Sequence, residues 1–311
     1  MSPLIAVVGP TGTGKSNLSL QLAEEFSKVG IAVEIINADS MQFYRGMDIG
    51  TAKISAAERG RIPHHLFDWL EITDESTAAQ YQPLARAAIL EAQQRGSLPV
   101  LVGGSMLYLA AVLNTFEFPA RDQELRAQLE TDLEANGIEE LYRRLAKLDP
   151  AAAAKVDAKN PRRVVRALEV VMTTGEPFAA ALPDTFESWQ PSLQIGLNGD
   201  RTDLVARLTR RSQKMFAEGL VSEVESLIPK GIRTGKTASR AIGYAQALKV
   251  IDGEFTEQQA IDETSTLTAR YARRQMSWFR RDNRINWLDY QQPNLFEAAK
   301  ALAMQHFEAS E

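Results

Sequence analysis

Gly9-Pro10-Thr11-Gly12-Thr13-Gly14-Lys15-Ser16 fits the pattern G-x-x-x-x-G-K-[ST]. Such a segment can hold phosphate. Its glycines let backbone amides turn inward around phosphate oxygens, and a following helix N-terminus adds positive potential. Lys15 supplies a mobile charge and Ser16 a hydroxyl suited to Mg²⁺. The second residue that could do chemistry is Asp39, which ends the run Ile35-Ile36-Asn37-Ala38 and leads into Ser40-Met41-Gln42. A carboxylate at a sheet edge beside a phosphate loop can accept a proton from an attacking group while the loop holds the leaving phosphate. Capping the following turn, or orienting Ser16 and Mg²⁺, is an equally open role for it.

A phosphate loop does not say which bond is broken. NTPases and kinases coordinate Mg²⁺ with an Asp that ends a later apolar strand. Here the run Leu98 to Val102 leads instead into Gly103-Gly104-Ser105, and the base-reading N-K-x-D motif is missing. Both observations favour a diphosphate held as a leaving group over motor-type hydrolysis.

Two arginine clusters could contact a polyanion. Asn160-Pro161-Arg162-Arg163-Val164-Val165-Arg166 opens a helix on which Arg162 and Arg166 lie one turn apart. The other runs through Arg270, Arg273, Arg274, Arg280, Arg281 and Arg284, with Leu267, Tyr271 and Trp278 bordering the cations. Cations beside aromatic rings suit phosphate contacts and base stacking on single-stranded RNA. A solvated helix face is the plainer reading of either cluster alone.

Those residues need elements to hold them. Leu4 to Gly9 is a short apolar run, and Leu18, Leu22, Phe26 and Val29 recur at helical spacing before Gly30. The loop thus lies between a strand and a helix, the context that its motif requires. Ile31 to Ala38, interrupted by Glu34, Leu98 to Val102, Leu193 to Leu197 and Ile285 to Leu288 read as further strands, and Ser76 to Gln94 and Thr256 to Arg281 as helices. The expectation is an α/β fold, a P-loop NTPase-like parallel sheet flanked by helices. Strands ending in small or acidic residues bring those residues to its carboxyl edge, where open α/β folds bind ligands. From about Phe116 the chain turns rich in Ala, Glu, Arg and Leu without a β-like run, which predicts an all-helical insertion over 116–189 between core segments 1–115 and 190–311.

Composition narrows the options. The 311 residues carry 35 Lys+Arg against 40 Asp+Glu, a formal charge of -5, so any nucleic-acid contact must come from local cationic patches. With no cysteine and three histidines, disulfides, iron–sulfur clusters, structural zinc and thiol catalysis are disfavoured. The pair His64-His65 lacks a ligand set around it and reads as a structural or turn feature. Trp69, Trp189 and Trp287 read as packing residues. The apolar run after Met1-Ser2-Pro3 is too short for a signal peptide or membrane span, which implies a cytoplasmic protein.

Taken together, the motifs resemble those of the tRNA dimethylallyltransferases, also called isopentenyl-tRNA transferases. The matching stretches are the phosphate loop, Asn37 to Lys53, Pro63 to Asp68, Val102 to Tyr108, Pro161 to Glu169, Ala241 to Tyr244 and Arg273 to Arg280. They span nearly the whole chain, and Asp39 to Lys53 is far more specific than the loop. The resemblance implies transfer of a dimethylallyl group from dimethylallyl diphosphate to N6 of the adenosine at position 37, 3′ to the anticodon, with Mg²⁺. The tRNAs implied are those that read codons beginning with U. It makes Asp39 the general base and Ser105 its catalytic companion. It assigns the diphosphate to Gly9, Thr11, Gly12, Thr13, Gly14, Lys15 and Ser16, with Ser16 also serving the metal. Its tRNA contacts carry over to Asp39, Ser40, Met41, Gln42, Ser105, Arg126, Arg162, Arg163, Val164, Val165, Arg166, Arg273, Arg274, Trp278 and Arg280, and the insertion would grip the anticodon stem-loop. Gly12-Thr13 stands where the family commonly has Ala-Ser, and Ser105 where Thr is frequent; both keep the small size or the hydroxyl.

A monomer needing no protein partner and no membrane is expected. An adenylate prenyltransferase would dispense with the insertion and the arginine-rich helix, a small-molecule kinase would need a further Mg²⁺-binding acid, and a non-catalytic RNA-binding module would not need Asp39.

Overall fold

The computed structural model describes residues 3–115, 118–119, 121–178 and 187–309. The chain divides into two compact units, Met1–Thr115 with Ser188–Glu311, and Phe116–Glu187.

The first unit begins with β1 (Leu4–Val8), the phosphate loop and α1 (Lys15–Lys28). There follow β2 (Val33–Asn37), a single turn α2 (Ala56–Arg59), the two-residue β3 (His64–His65), α3 (Ala78–Gln94), β4 (Leu98–Val102) and α4 (Met106–Leu113). The second unit supplies α5 (Gln123–Leu148), which is two helices joined at Gly137, then α6 (Pro150–Ala153) and α7 (Pro161–Thr174). The chain re-enters the first unit with β5 (Ser192–Asn198), α8 (Arg201–Ala217), α9 (Leu220–Leu227), α10 (Tyr244–Ile251), α11 (Glu257–Phe279), β6 (Ile285–Asp289) and α12 (Leu295–Glu308).

Among the described residues the strands form one six-stranded sheet in the order β3-β2-β4-β1-β5-β6, parallel throughout. Alternate residues of β1 explain the layers: Leu4, Ala6 and Val8 face a core built with α3, α4, α9 and α10, while Ile5 and Val7 face Leu18, Leu22 and Phe26 of α1 and Ala299 and Ala303 of α12. Continuous apolar strands are what a sheet covered on both faces demands. All strands point the same way, so Gly9, Asp39 and Gly103 follow their strands at one carboxyl edge.

The expected strands and long helices are present with shifted ends: β2 starts at Val33, β5 and β6 run past their expected limits to Asn198 and Asp289, and Thr77 and Thr256 accept hydrogen bonds as the N-caps of α3 and α11. The histidine pair forms an edge strand. His65 Nε2 lies 2.6 Å from Glu34 Oε2, and Arg95 binds the same carboxylate at 2.7 Å. Glu34 therefore does not break β2; Arg95, chiefly, holds its carboxyl at a pKa of about 2, with His65 and Ser97 adding to the effect against burial. The second unit has its own core, in which Leu129, Leu141 and Leu145 of α5 meet Val164, Val165 and Leu168 of α7.

Candidate active site

The loop is shaped before any ligand arrives. Gly14 caps α1 at φ +90°, a conformation that side chains resist, and no acid occupies the first turn to offset the positive helix end. Thr13 Oγ1 donates to Pro10 O at 2.9 Å, and Lys15 Nζ donates to the same carbonyl at 2.7 Å. Burial lowers the Lys15 pKa to about 8; the charge of Asp39 opposes this and that of Arg211 reinforces it.

Asp39 lies next to this loop. Its Oδ1 accepts from the Met41 amide at 3.1 Å, so the turn-capping role is realised while Asp39 also lines the cavity. The buried Ser105 hydroxyl accepts from the Ser40 amide at 2.9 Å and donates to Ser40 Oγ at 3.1 Å. It thereby pins the turn that carries Asp39. Gln42 is buried, and its amide donates to Thr51 O at 3.2 Å.

Two hollows meet at Asp39. One, of about 550 Å³, is lined by Gly12, Gly14, Lys15, Ser16, Lys53, Arg207 and Lys214. The other, of about 290 Å³, is lined by Met41, Tyr244, Thr264, Thr268, Tyr271 and Arg274. Thr11, Asp39, Thr51, Arg211 and Met215 border both. The first is rich in cations and backbone amides, as a phosphate group requires; the second mixes apolar, aromatic and hydroxyl surface.

Two residues at this junction, Arg211 and Gln275, carry no role in the sequence pattern, and a third, Tyr271, borders the arginines of α11 as a stacking aromatic. Arg211 donates to Thr11 Oγ1 at 3.1 Å and to Thr51 O at 3.2 Å. Gln275 accepts from the Thr11 amide at 3.0 Å and donates to Gly104 O at 2.8 Å, tying α11 to the loop and to the end of β4. Tyr271 faces the second hollow with the Arg274 guanidinium 5.7 Å from its ring, and its phenol is pushed up to about 12 by burial and by the charge of Asp39. A signal for the first two was present. Arg211 falls on the apolar stripe Leu204, Leu208, Met215 of α8, and Gln275 on the stripe Ala272, Phe279 of α11. A polar side chain on a buried stripe has a partner to satisfy.

The remaining expected contacts are dispersed. On α11, Arg274 opens on the Asp39 side, whereas Arg273 and the C-cap Arg280 border a separate hollow of about 190 Å³ with Pro10 and Leu204. Trp278 packs partly against the core. Arg284 is withdrawn from the cationic set that the sequence suggested, because Asp282 at 2.6 Å and Asn114 at 2.8 Å hold it. In the second unit Arg162 and Arg163 are exposed, but Val164 and Val165 are 0% and 1% exposed, so their side chains support α7 and offer no surface. Arg126 and Arg166 both meet the buried Glu169, at 3.3 and 3.0 Å.

The sequence model described as IPP transferase matches residues 42–282. Over 306 residues the chain is 51% identical to a tRNA dimethylallyltransferase of Thermobifida fusca, covering 98% of this chain and 96% of that one. The chain belongs to the IPP transferase family. A solved tRNA isopentenylpyrophosphate transferase of Bacillus halodurans superposes with a TM-score of 0.71 at 37% identity, covering 99% of this chain and 98% of that one. A eukaryotic dimethylallyltransferase captured acting on tRNA gives a TM-score of 0.81 at 26% identity, covering 99% of this chain and 80% of that one. The IPP transferase signature takes in Arg211, Tyr271 and Gln275 but begins beyond the phosphate loop and Asp39. Among the described residues no helix is long and apolar enough to cross a membrane.

Proposed function

We propose that this chain transfers the dimethylallyl group of dimethylallyl diphosphate to N6 of adenosine 37 in tRNAs that read codons beginning with U. The observation that carries the reading is the position of Asp39 where the cationic hollow meets the mixed one. The diphosphate lies against the loop amides, Lys15 and Arg211; the allylic carbon and the adenine amine come together at the Asp39 junction. N6 bonds to C1 of the prenyl chain, the C1–O bond breaks with its electrons passing to diphosphate, and the N6 proton goes to Asp39. An exocyclic amine is a weak nucleophile, so a base and enforced proximity both contribute. Ser105 acts through Ser40 and the Asp39 turn.

Mg²⁺ fits as an ion shared with the substrate. Among the described residues no group of three or more His, Asp or Glu could cage a metal, while the Ser16 hydroxyl lines the cationic hollow. Ser16 would hold the ion against diphosphate oxygens, where it would neutralise charge on the leaving group. The RNA is held by local cations: Arg273 and Arg274 on α11, Arg280 at its C-cap, and Arg126, Arg162, Arg163 and Arg166 in the helical unit 116–187, which grips the anticodon stem-loop. The adenine leaves its stack at a cost of a few kcal/mol or less in a loop. Both hollows at Asp39 are lined by residues of this one chain, which fits a monomer working in the cytoplasm, where tRNA is found.

Single-turnover transfer from labelled dimethylallyl diphosphate to an anticodon stem-loop, with AMP and ATP as competing acceptors and Asp39→Ala as control, tests the reading. Label on RNA alone, lost in the variant, is expected. Label on AMP or ATP would move the function to adenylate prenylation, and no label anywhere would remove the transferase reading.

A further inference from the structure

The turn after Asp39 carries a residue that both hollows share, Thr51. Within the segment Thr51 Oγ1 donates to Met47 O at 2.7 Å, and Lys53 Nζ donates to Tyr44 O at 2.8 Å and to Asp68 at 2.6 Å. A further anchor, on the amides themselves, comes from α9. Glu223 accepts hydrogen bonds from three successive backbone amides, Asp48 at 3.2 Å, Ile49 at 2.7 Å and Gly50 at 3.4 Å. The Tyr244 hydroxyl donates to the same carboxylate. Gly50 is seated against the Tyr244 ring so closely that a Cβ there would stand 2.4 Å from it. The backbone that follows is awkward: directly after Thr51, Ala52 adopts φ +47°, with its amide donating to Ile49 O at 3.0 Å and that of Lys53 to Asp48 O at 3.0 Å, so the turn folds back on the residues that Glu223 grips.

What this turn delivers is one carbonyl. Thr51 O accepts from Gln42 at 3.2 Å and from Arg211 at 3.2 Å, and the other nitrogen of Arg211 reaches Thr11 in the phosphate loop. A guanidinium is a rigid planar fork, so fixing one prong aims the other. We infer that Glu223, with Tyr244, is a positioning clamp for the reaction. By gripping the 48–50 amides it sets the Thr51 carbonyl, and through it the Arg211 guanidinium that faces the diphosphate. The inference rests on the proposed function for what Arg211 meets, but the clamp itself exists without substrate.

Two measurements on the full chain separate these. Hydrogen exchange of the segment 46–53 in the empty protein is slow in the wild type and becomes fast in Glu223→Ala, with Glu223→Gln and Tyr244→Phe intermediate. Binding of inorganic pyrophosphate weakens about tenfold in Glu223→Ala, the loss of a charged acceptor from a bonded network. Binding is partly restored in Glu223→Gln, while affinity for the anticodon stem-loop without donor is unchanged. In a double-mutant cycle Arg211→Ala with Glu223→Ala is no weaker than Arg211→Ala alone. Fast exchange of 46–53 in the wild type, or pyrophosphate losses that add fully in the cycle, overturns the clamp. Equal losses in pyrophosphate and RNA binding would mark a general structural defect and overturn it also. A wild type that does not bind pyrophosphate sinks the proposed function instead, and the clamp is then decided by exchange alone.

Discussion

The Gln275 side chain, 2% exposed, accepts the Thr11 amide at 3.0 Å, so a residue near the end of α11 completes the phosphate loop. Its other end donates to Gly104 O. Gln275→Leu keeps much of the volume and strands a buried donor and acceptor, which costs about 1–3 kcal/mol for each unsatisfied group. The variant is expected to unfold at lower urea and to bind pyrophosphate more weakly. Gln275→Glu keeps an acceptor for Thr11 but sets a carboxylate against Gly104 O and beside the phosphate loop, so pyrophosphate binding and stability both fall. An unchanged urea midpoint in Gln275→Leu would show that these bonds are not maintained in solution.

Asp39 does two jobs that different substitutions can separate. The amide side chain introduced by Asp39→Asn retains an oxygen for the Met41 amide, preserving the turn, but cannot take the proton from N6. Asp39→Asn is therefore expected to lower single-turnover transfer by about 10²–10⁴-fold, the usual scale of a positioned base. Its RNA and pyrophosphate affinities should stay within a few fold of the wild type, as isotherms would check. A transfer rate kept in Asp39→Asn but lost in Asp39→Ala would make the residue a cap and nothing more.

Much of this was legible in the chain because it rests on local rules. The phosphate loop, β1, β4 and the parallel sheet followed from a glycine pattern bracketed by an apolar run and a helical stripe. The edge strand β3 was not, because two residues carry no periodicity and its pairing partner lies in β2. Helix α4 is almost wholly apolar, so no polar face marked it. At the site, Asp39 and Ser105 stand in strand-end positions that sequence spacing locates. Arg211 belongs to no motif, and its role depends on Thr11 and Thr51, 200 and 160 residues distant. Val164 and Val165 show the reverse relation: a matching motif names them, while helical periodicity turns their side chains inward.

Lys15 gives the site a pH dependence. Its pKa in the empty protein is lowered from 10.5 to about 8, so near pH 8 about half of the molecules lack the ammonium. The sign for stability follows: the folded chain resists this proton, so the Lys15 contribution is unfavourable below pH 8 and that penalty fades as pH rises towards 10.5. Ligand binding works the other way. A diphosphate restores the charge, so binding at pH 8 is expected to take up about half a proton more in the wild type than in Lys15→Gln. Calorimetry in two buffers of different ionisation enthalpy reads this, and pyrophosphate's own ionisation cancels in the difference. Equal proton uptake by the two proteins would place the titration elsewhere.

Glu169, 0% exposed, is the shared partner of Arg126 at 3.3 Å and Arg166 at 3.0 Å, and it also accepts the Asp122 amide at 3.2 Å. Arg126 also pairs with Glu130 at 3.0 Å, so the two cations and two carboxylates cancel and the cluster's value lies in order more than in attraction. Removing the carboxylate leaves two closely spaced cations without their common anchor, and losing one partner of a buried pair costs about 3–5 kcal/mol. Glu169→Gln limits that cost by keeping an oxygen for Asp122 while discarding the charge. RNA binding by this variant should become more salt-dependent, since one more cation is uncompensated, with the slope of log K against log salt steeper by about 0.7–0.9. Discrimination should move the opposite way: the ratio of affinities for an anticodon stem-loop and a scrambled hairpin falls because Arg126 and Arg166 are no longer aimed. Pyrophosphate binding stays unchanged. If the salt slope and the ratio both match the wild type, these two arginines serve the fold of their helical unit and do not meet RNA.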